Sequence, residues 1–136
     1  MRYLIDTNIL INFALEDYIS KDVEEVIDDY KNQVFVSSES VKEFIQLVQT
    51  ERVVLKKSFL SLYVFDLIEN EFGFHVKYVT KEHLRTLSKL EIVEGHNDPN
   101  DRLIIAQATT EKIPLISSDT KFPKYRKFGL VFIFNR

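Results

Sequence analysis

Two short apolar runs, far apart in the chain, each end in a carboxylate. The first occupies the start of the sequence, MRYLIDTN, and stops at Asp6. The second, PLISSD at residues 114–119, stops at Asp119. Runs this short, bounded by proline or a polar cluster, are typical of buried strands in a parallel sheet. Because ligands of such sheets bind beyond the carboxyl ends of the strands, the two acids are predicted to share one metal site.

Strand-like and helix-like segments alternate along the rest of the chain. Apolar spacing predicts helices over residues 9–14, 21–30, 37–50, 58–72, 80–90 and 99–112. Further strands are predicted at residues 34–36, 74–79 and 130–134. The alternation indicates an α/β fold with a mostly parallel sheet covered on both faces by helices. With 136 residues and no linker or repeat, a single domain over residues 1–136 is expected.

Composition excludes several classes of protein. The net charge of −3, from 18 basic and 21 acidic side chains, excludes a generally basic nucleic-acid-binding protein but allows a local basic patch. The lack of cysteine excludes disulfides, thiolate metal sites and a cysteine nucleophile. No apolar run approaches membrane-spanning length and no signal-peptide pattern opens the chain, so a cytoplasmic location is expected.

Asp101 gives the strongest single indication of a site. On the helix predicted from residue 99 it shares a face with three apolar residues, Ile104, Ile105 and Ala108. A carboxylate on an apolar face is costly unless it is paired, and a divalent cation or an arginine would pair it. Arg102 points elsewhere on the helical wheel. Interaction with the helix dipole in the first turn is the structural alternative.

Other acids have local explanations from the residues alone. Asp6 and Asp119 fit helix caps at strand-to-helix turns as well as they fit a shared metal site. Glu43 completes a Ser-x-x-Glu capping box that begins at Ser40, and on the wheel it lies opposite the apolar stripe. The pattern therefore favours capping or a solvated face for Glu43.

The loop before residue 99 holds two further candidates. Asp98 precedes Pro99 and is best explained as a helix cap, since proline is favoured at the first helical position. His96 fits a general base or a metal ligand, but a lone loop histidine is more often a surface residue.

The donor types favour Mg²⁺, with Mn²⁺ as a substitute, because hard carboxylates are present and cysteine is not. Such clusters commonly bind one or two ions and catalyse displacement at phosphorus.

Cations and aromatic residues interleave just after Asp119: Lys121, Phe122, Lys124, Tyr125, Arg126, Lys127 and Phe128. Cations that hold phosphates and rings that stack on bases would make this an RNA-binding segment, for which Lys121, Lys124 and Arg126 are the candidates. Alternatively the rings are core, which we favour for Phe128.

Together these motifs resemble the PIN domain, specifically the single-domain VapC-type toxins of bacterial toxin–antitoxin pairs. The matching segments, which are spread over essentially the whole chain, are Asp6-Thr7-Asn8, Glu43, residues 97–108 (NDPNDRLIIAQA) and residues 117–122 (SSDTKF). Each motif is short, and the set of four in this order is what makes the resemblance specific.

The resemblance implies a three-layer α/β/α sandwich and a Mg²⁺-dependent endoribonuclease. Such an enzyme cleaves single-stranded or structured RNA by metal-activated water and leaves a 5′-phosphate and a 3′-hydroxyl. The implied catalytic acids are Asp6, Glu43, Asp101 and Asp119. Of these, Asp6, Asp101 and Asp119 would hold the metal, and Glu43 would complete the cage or steer the water. Asn8, Asp98 and Ser118 would assist.

The resemblance also implies an RNA substrate, a cognate antitoxin protein, a homodimer and no membrane partner. One departure is Asn100, where relatives often carry phenylalanine. A helix that began at Asn100 instead of Pro99 would exchange the expected roles of Asp98 and Asp101.

Three other functions compete with this interpretation. A phosphatase with Asp6 as nucleophile needs a second acid two residues on, and Asn8 stands there. A PIN nuclease of RNA maturation or DNA-flap cleavage is disfavoured by the small size and the lack of an extra domain. A catalytically silent PIN-like domain that binds RNA or protein is disfavoured by the intact set of acids.

Overall fold

Five parallel strands form one central sheet. The structure, a computed structural model, describes residues 1–59, 63–93 and 95–135. The strands are β1 (Arg2–Ile5), β2 (Gln33–Ser37), β3 (His75–Lys77), β4 (Leu115–Ser117) and β5 (Phe132–Phe134). Their order in the sheet is β3-β2-β1-β4-β5, and every neighbouring pair is parallel. The predicted parallel α/β sheet is confirmed.

Helices connect the strands and cover both faces. The longer helices are α1 (Thr7–Ala14), α2 (Lys21–Asp28), α3 (Ser38–Gln49), α4 (Lys81–Lys89) and α5 (Pro99–Glu111). Short 3₁₀ helices span Lys57–Phe59 and Phe122–Phe128. None of these described helices combines the length and the apolar character needed to cross a membrane.

Two helices differ from their predicted extents. The predicted helix over 58–72 is broken: a single turn at Val64–Asp66 continues into a π turn at Leu67–Glu71, and residues 60–62 of that prediction lie outside the described residues. The backbone at Tyr63 is extended, so a continuous helix cannot pass through it. The predicted end of α2 at residue 30 is also wrong, because the chain is already extended at Asp29.

Helix starts decide two questions left by the sequence. The Asp98 carboxylate accepts hydrogen bonds from the amides of Asn100 (2.9 Å) and Asp101 (3.2 Å), and the helix begins at Pro99. Asp98 is thus the cap. The capping box predicted at Ser40 is wrong: α3 is capped by Ser37, so Ser40 lies inside the helix.

The alternating side chains of the sheet fill two separate cores. One face buries Ile5, Val36 and Ile116 against α1, α2 and α3, with Phe44 of α3 fully buried. The other face buries Leu4 and Leu115 against residues of α5 and the last 3₁₀ helix, namely Ile104, Ile105, Ala108, Phe122 and Tyr125. Helices on both faces of one sheet make the expected α/β/α sandwich.

A buried hydrogen bond joins the starts of α1 and α3. The Thr7 hydroxyl donates to the Ser40 hydroxyl at 2.9 Å, and both side chains are shielded from water. Thr7 directly follows Asp6, and Ser40 lies one helical turn before Glu43. This bond therefore fixes two acid-bearing elements relative to each other.

We expect Ser40→Ala to lower the free energy of unfolding by about 1–3 kcal/mol, because the Thr7 hydroxyl loses its acceptor in a dry site. Adding Thr7→Val removes the stranded hydroxyl and should restore most of that loss. The free energies of unfolding of both single variants and the double variant, measured in urea, form a double-mutant cycle that tests this coupling. Additive losses would show that the two hydroxyls are energetically independent.

Candidate metal centre

The pairing of β1 with β4 brings two of the predicted acids to the same edge of the sheet. Ile5 lies opposite Ile116 in register, and the Asp6 amide donates to the Ile116 carbonyl at 3.2 Å. Asp6 directly follows β1, and Asp119 comes two residues after β4 ends. The carboxyl edge of the sheet thus carries both acids, as the sequence predicted.

Asp101 reaches this edge from the first turn of α5. Oxygen atoms of Asp101 and Asp119 and a ring nitrogen of His96 all lie within 4.8 Å of one another. The prediction of a surface position for His96 is wrong, because the side chain is only 4% exposed and faces Asp101. No pattern in the sequence indicated this, since the burial comes from Phe122 and Tyr125, far along the chain.

Asp6 is a buried carboxyl group, 3% exposed, and the structure confirms its predicted role as a helix cap. One of its oxygens caps α1 by accepting from the Ile9 amide at 2.9 Å. Burial raises its pKa to about 7, against lowering by hydrogen bonds from the Ser117 hydroxyl and the Ile9 amide. The negative charges of Asp101 and Asp119 raise the pKa further.

The centre formed by Asp6, Asp101 and Asp119 concentrates negative charge at the sheet edge. Burial, followed by the charge of Asp98, raises the pKa of Asp101 above its usual range, although the hydrogen bond with His96 lowers it. In the described ranges no lysine or arginine forms an ion pair with Asp6, Asp101 or Asp119. Oxygen donors crowded in this way, with the pKa values of Asp6 and Asp101 raised partly by neighbouring carboxylates, suit a hard divalent cation.

Asp119 is held in a turn. One carboxylate oxygen accepts from the Lys121 amide at 2.8 Å, and the Asp119 amide donates to the Ser117 hydroxyl at 2.9 Å. Like Asp6, it combines a local backbone contact with a place at the centre.

Glu43 lies on the second turn of α3. Its side chain is half-buried, whereas the wheel favoured a solvated face. It lines a cavity of ≈ 270 Å³ together with Lys42 and Asn100, the latter from the first turn of α5. The structure therefore brings Glu43 next to the helix that carries Asp101, but not into the cluster of His96, Asp101 and Asp119.

The supporting residues are dispersed around the edge. Asn8 is exposed in the first turn of α1, and Asp98 is engaged in capping. The Ser118 hydroxyl accepts from the Asn135 side-chain amide at 2.9 Å. Asn135, whose carbonyl oxygen also accepts from the Ser20 amide at 2.7 Å, was missed because nothing in the local sequence marks a terminal asparagine as buried.

The segment after Asp119 divides between surface and core. Lys121, Lys124 and Arg126 are exposed, and the guanidinium of Arg126 lies over the Phe132 ring at 5.4 Å. Phe122 and Tyr125 were predicted to stack on bases, but they are 1% and 0% exposed. That part of the prediction is wrong, because both rings pack in the core beneath the 3₁₀ helix.

Solved structures with the same fold come from bacterial toxin–antitoxin complexes. VapBC2 from Rickettsia felis, bound to a promoter DNA fragment, matches with a TM-score of 0.74 and 18% identity over 100% of both chains. VapBC-1 from nontypeable Haemophilus influenzae matches with a TM-score of 0.69 and 19% identity over 98% of both chains. VapBC-5 from Mycobacterium tuberculosis matches with a TM-score of 0.62 and 18% identity over 99% of this chain and 98% of the other. Identities this low establish the fold alone.

Sequence comparison separates the family from individual relatives. No curated protein matches the chain by sequence. The family model of the PIN domain matches residues 3–128, which includes every acid of the centre. PIN domains are generally nucleases that use divalent metals. The family match and the fold agree, and the chain belongs to the PIN-domain family.

Proposed function

We propose that this protein is a Mg²⁺-dependent endoribonuclease and the toxin of a toxin–antitoxin pair. The observation that carries the proposal is the convergence of Asp6, Asp101 and Asp119 at one sheet edge, without a lysine or arginine partner in the described ranges. Carboxylates that are buried close together lower the stability of the fold unless they bind a cation. The fold shared with toxin–antitoxin complexes supports the biological role.

The hydrogen bonds of the three carboxylates fix them in place. Asp6 accepts from the Ile9 amide and the Ser117 hydroxyl, Asp119 accepts from the Lys121 amide, and an oxygen of Asp101 lies against His96. Among the described residues, no hydrogen bond engages the second oxygen of Asp101 or Asp119. These three side chains would hold the cation, and Glu43 would complete the set from α3.

When bound, a divalent cation lowers the pKa of water and stabilises the charge that develops on a phosphodiester. The half-buried Glu43 carboxylate would also steer the attacking water. The exposed cations Lys121, Lys124 and Arg126 would hold neighbouring phosphates of an RNA strand. Hydrolysis of this kind gives a 5′-phosphate and a 3′-hydroxyl and needs no covalent intermediate.

A second surface supports a protein partner. A groove of ≈ 660 Å³ lies between the end of α1, α2 and the segment at residues 71–72. Its acids are Glu16, Asp17, Glu24, Asp28 and Glu71, and its aromatic lining consists of Phe13, Tyr18, Phe59 and Phe72. We call this surface the acidic groove. An antitoxin segment that alternates apolar residues with lysine or arginine would complement it in shape and charge. A cytoplasmic homodimer with such a partner is the assembly that we propose.

In the absence of metal, we expect the free energy of unfolding to fall as the pH rises. The pKa of Asp6 is about 7 in the folded protein, against an ordinary value of 3.8. Between these two pH values the folded state keeps a proton that the unfolded chain has released. The contribution is fully present below pH 4 and is lost as the pH rises through 7, by at most about 1.4 kcal/mol per pH unit. Urea midpoints at pH 5 and pH 8 in EDTA measure this slope.

Asp6→Asn keeps an oxygen for the α1 cap but cannot titrate, so its stability should depend less on pH. Mg²⁺ should restore stability at pH 8 in the natural protein and much less in Asp6→Asn. An equal slope in both proteins would show that other groups govern the pH dependence.

Cleavage of single-stranded RNA should require Mg²⁺ or Mn²⁺ and stop in EDTA. Asp101→Asn should lower kcat by about 100-fold or more, because a charged metal ligand is lost, while stability stays equal or rises. Asp98→Asn is the matched control: asparagine caps a helix as well as aspartate does, so activity should change little. Gel assays and melting temperatures measure both. Folded protein that binds no metal and cleaves no RNA would favour the catalytically silent alternative.

Expression of the protein alone should arrest bacterial growth, and Asp6→Asn should relieve the arrest. Co-expression of a short neighbouring gene for the antitoxin should restore growth. Asp28→Lys in the acidic groove should weaken antitoxin binding about tenfold, whereas Asp22→Lys, on the same helix but outside the groove, should not. Normal growth with a demonstrably active enzyme would favour a role in RNA maturation.

A further inference from the structure

A chain of buried side chains stands directly behind the metal centre. The Tyr125 hydroxyl lies 2.7 Å from Nδ1 of His96, and Nε2 of the same ring lies 3.4 Å from Oδ2 of Asp101. Tyr125 and His96 are 0% and 4% exposed, and Asp101 is the member that reaches the centre. The chain therefore links the hydrophobic core to one carboxylate.

The imidazole is fixed in position from several sides. Its ring packs edge-on against Phe122 and Tyr125, with ring centroids 5.4 and 5.3 Å apart. The His96 backbone amide donates to the Val93 carbonyl at 2.9 Å, which closes the loop just before α5. A ring held in this way can restrict the orientation of the Asp101 carboxylate that it contacts.

The direction of the hydrogen bonds follows from the acceptor at one end. An ionised carboxylate accepts hydrogen bonds but cannot donate them. A lone pair on Nε2 of His96 would therefore face a lone pair of Asp101 across the 3.4 Å gap. A proton on Nε2 removes this repulsion and donates to Asp101. In the neutral ring Nδ1 is then an acceptor, so the Tyr125 hydroxyl donates to it at 2.7 Å in preference to the His96 carbonyl at 3.4 Å.

We propose that His96, backed by Tyr125, is a positioning residue that holds the Asp101 carboxylate in the orientation needed to bind a divalent cation, and that His96 does not itself bind the cation. The inference rests on the metal-dependent function proposed above and deepens it. With Oδ2 held by the ring, Oδ1 of Asp101 is left to act as the donor beside Asp119. Contacts of this kind to a metal ligand commonly change metal affinity by about 10–100-fold.

The alternative is that His96 binds the cation directly through Nε2, and the ring tautomer separates the two roles. Direct binding requires a lone pair on Nε2 and so moves the proton to Nδ1, whereas the positioning role keeps it on Nε2. The protein has three histidines, and His83 is an internal reference. Its Nδ1 accepts from the Thr80 amide at 3.0 Å, which places its own proton on Nε2.

Nitrogen-15 NMR of the histidine rings, with Mg²⁺ as the probe, tests the assignment. His96→Gln identifies the His96 signals by their loss. We expect His96 to show the same Nε2–H pattern as His83 both in EDTA and at saturating Mg²⁺. A switch to the Nδ1–H tautomer when Mg²⁺ is added would make His96 a ligand and overturn the proposal.

Metal affinity of substituted proteins gives an independent readout. Tyr125→Phe keeps the packed ring but removes the hydroxyl, and we expect it to weaken Mn²⁺ binding by about tenfold. Tyr78→Phe, at an exposed tyrosine, is the matched control and should bind as the natural protein does. His96→Gln, which retains an N–H donor toward Asp101, should bind more tightly than His96→Leu.

The outcomes separate this inference from the proposed function. Calorimetric titration with Mn²⁺ is run on each variant at a temperature where circular dichroism shows it folded. If the natural protein binds Mn²⁺ and Tyr125→Phe and His96→Leu bind equally well, the positioning role is wrong and the proposed function stands. If the natural protein itself binds no Mn²⁺, the proposed function fails first.

Discussion

The parallel pairing of β1 with β4 is the interaction on which the rest of the molecule depends. It places Ile5 opposite Ile116, and so brings Asp6 and the turn that carries Asp119 to one edge of the sheet. A shift of register by one residue would also turn the buried side chains of β1 toward the wrong core. The same hydrogen bonds therefore specify both the hydrophobic packing and the meeting of the acids.

The buried acids of the centre lower the stability that the pairing of β1 with β4 provides. A carboxyl group 3% exposed, with two other acids for neighbours, has its pKa raised to about 7, which is a measure of how unfavourable its charge is there. The surrounding structure tolerates this because strands on either side and the Thr7–Ser40 bond hold the backbone in place. Strongly shifted pKa values cluster at functional sites, where burial and like charges are combined.

Sequence patterns were most informative where the cause is local. The cap at Asp98, the start of α5 at Pro99 and the strands ending near Asp6 and Asp119 depend on neighbouring residues, and the structure has them where they were predicted. The burial of His96 depends on rings about 30 residues away, so no local pattern could indicate it.

Other errors have equally definite causes. The helix predicted over 58–72 followed apolar spacing, but the extended backbone at Tyr63 interrupts it. Glu43 matched a capping box because Ser40 precedes it at the right spacing, yet the helix had already begun at Ser38. Spacing identifies which residues share a helical face, but it does not say which serine begins the helix.

Helix α1 sets the distance between the acids at the sheet edge and the acidic groove. Asp6 stands at its first turn, and the acidic groove begins at its last residues, Phe13 and Ala14. Eight residues of helix are about 12 Å long, a distance that about four residues of extended chain can span. In the function proposed above, an inhibitory chain seated in the groove would need only a short tail to reach the acids, whereas an RNA strand at the acids need not touch the groove. The length of α1 would then allow inhibition from a surface that the proposed substrate does not have to contact.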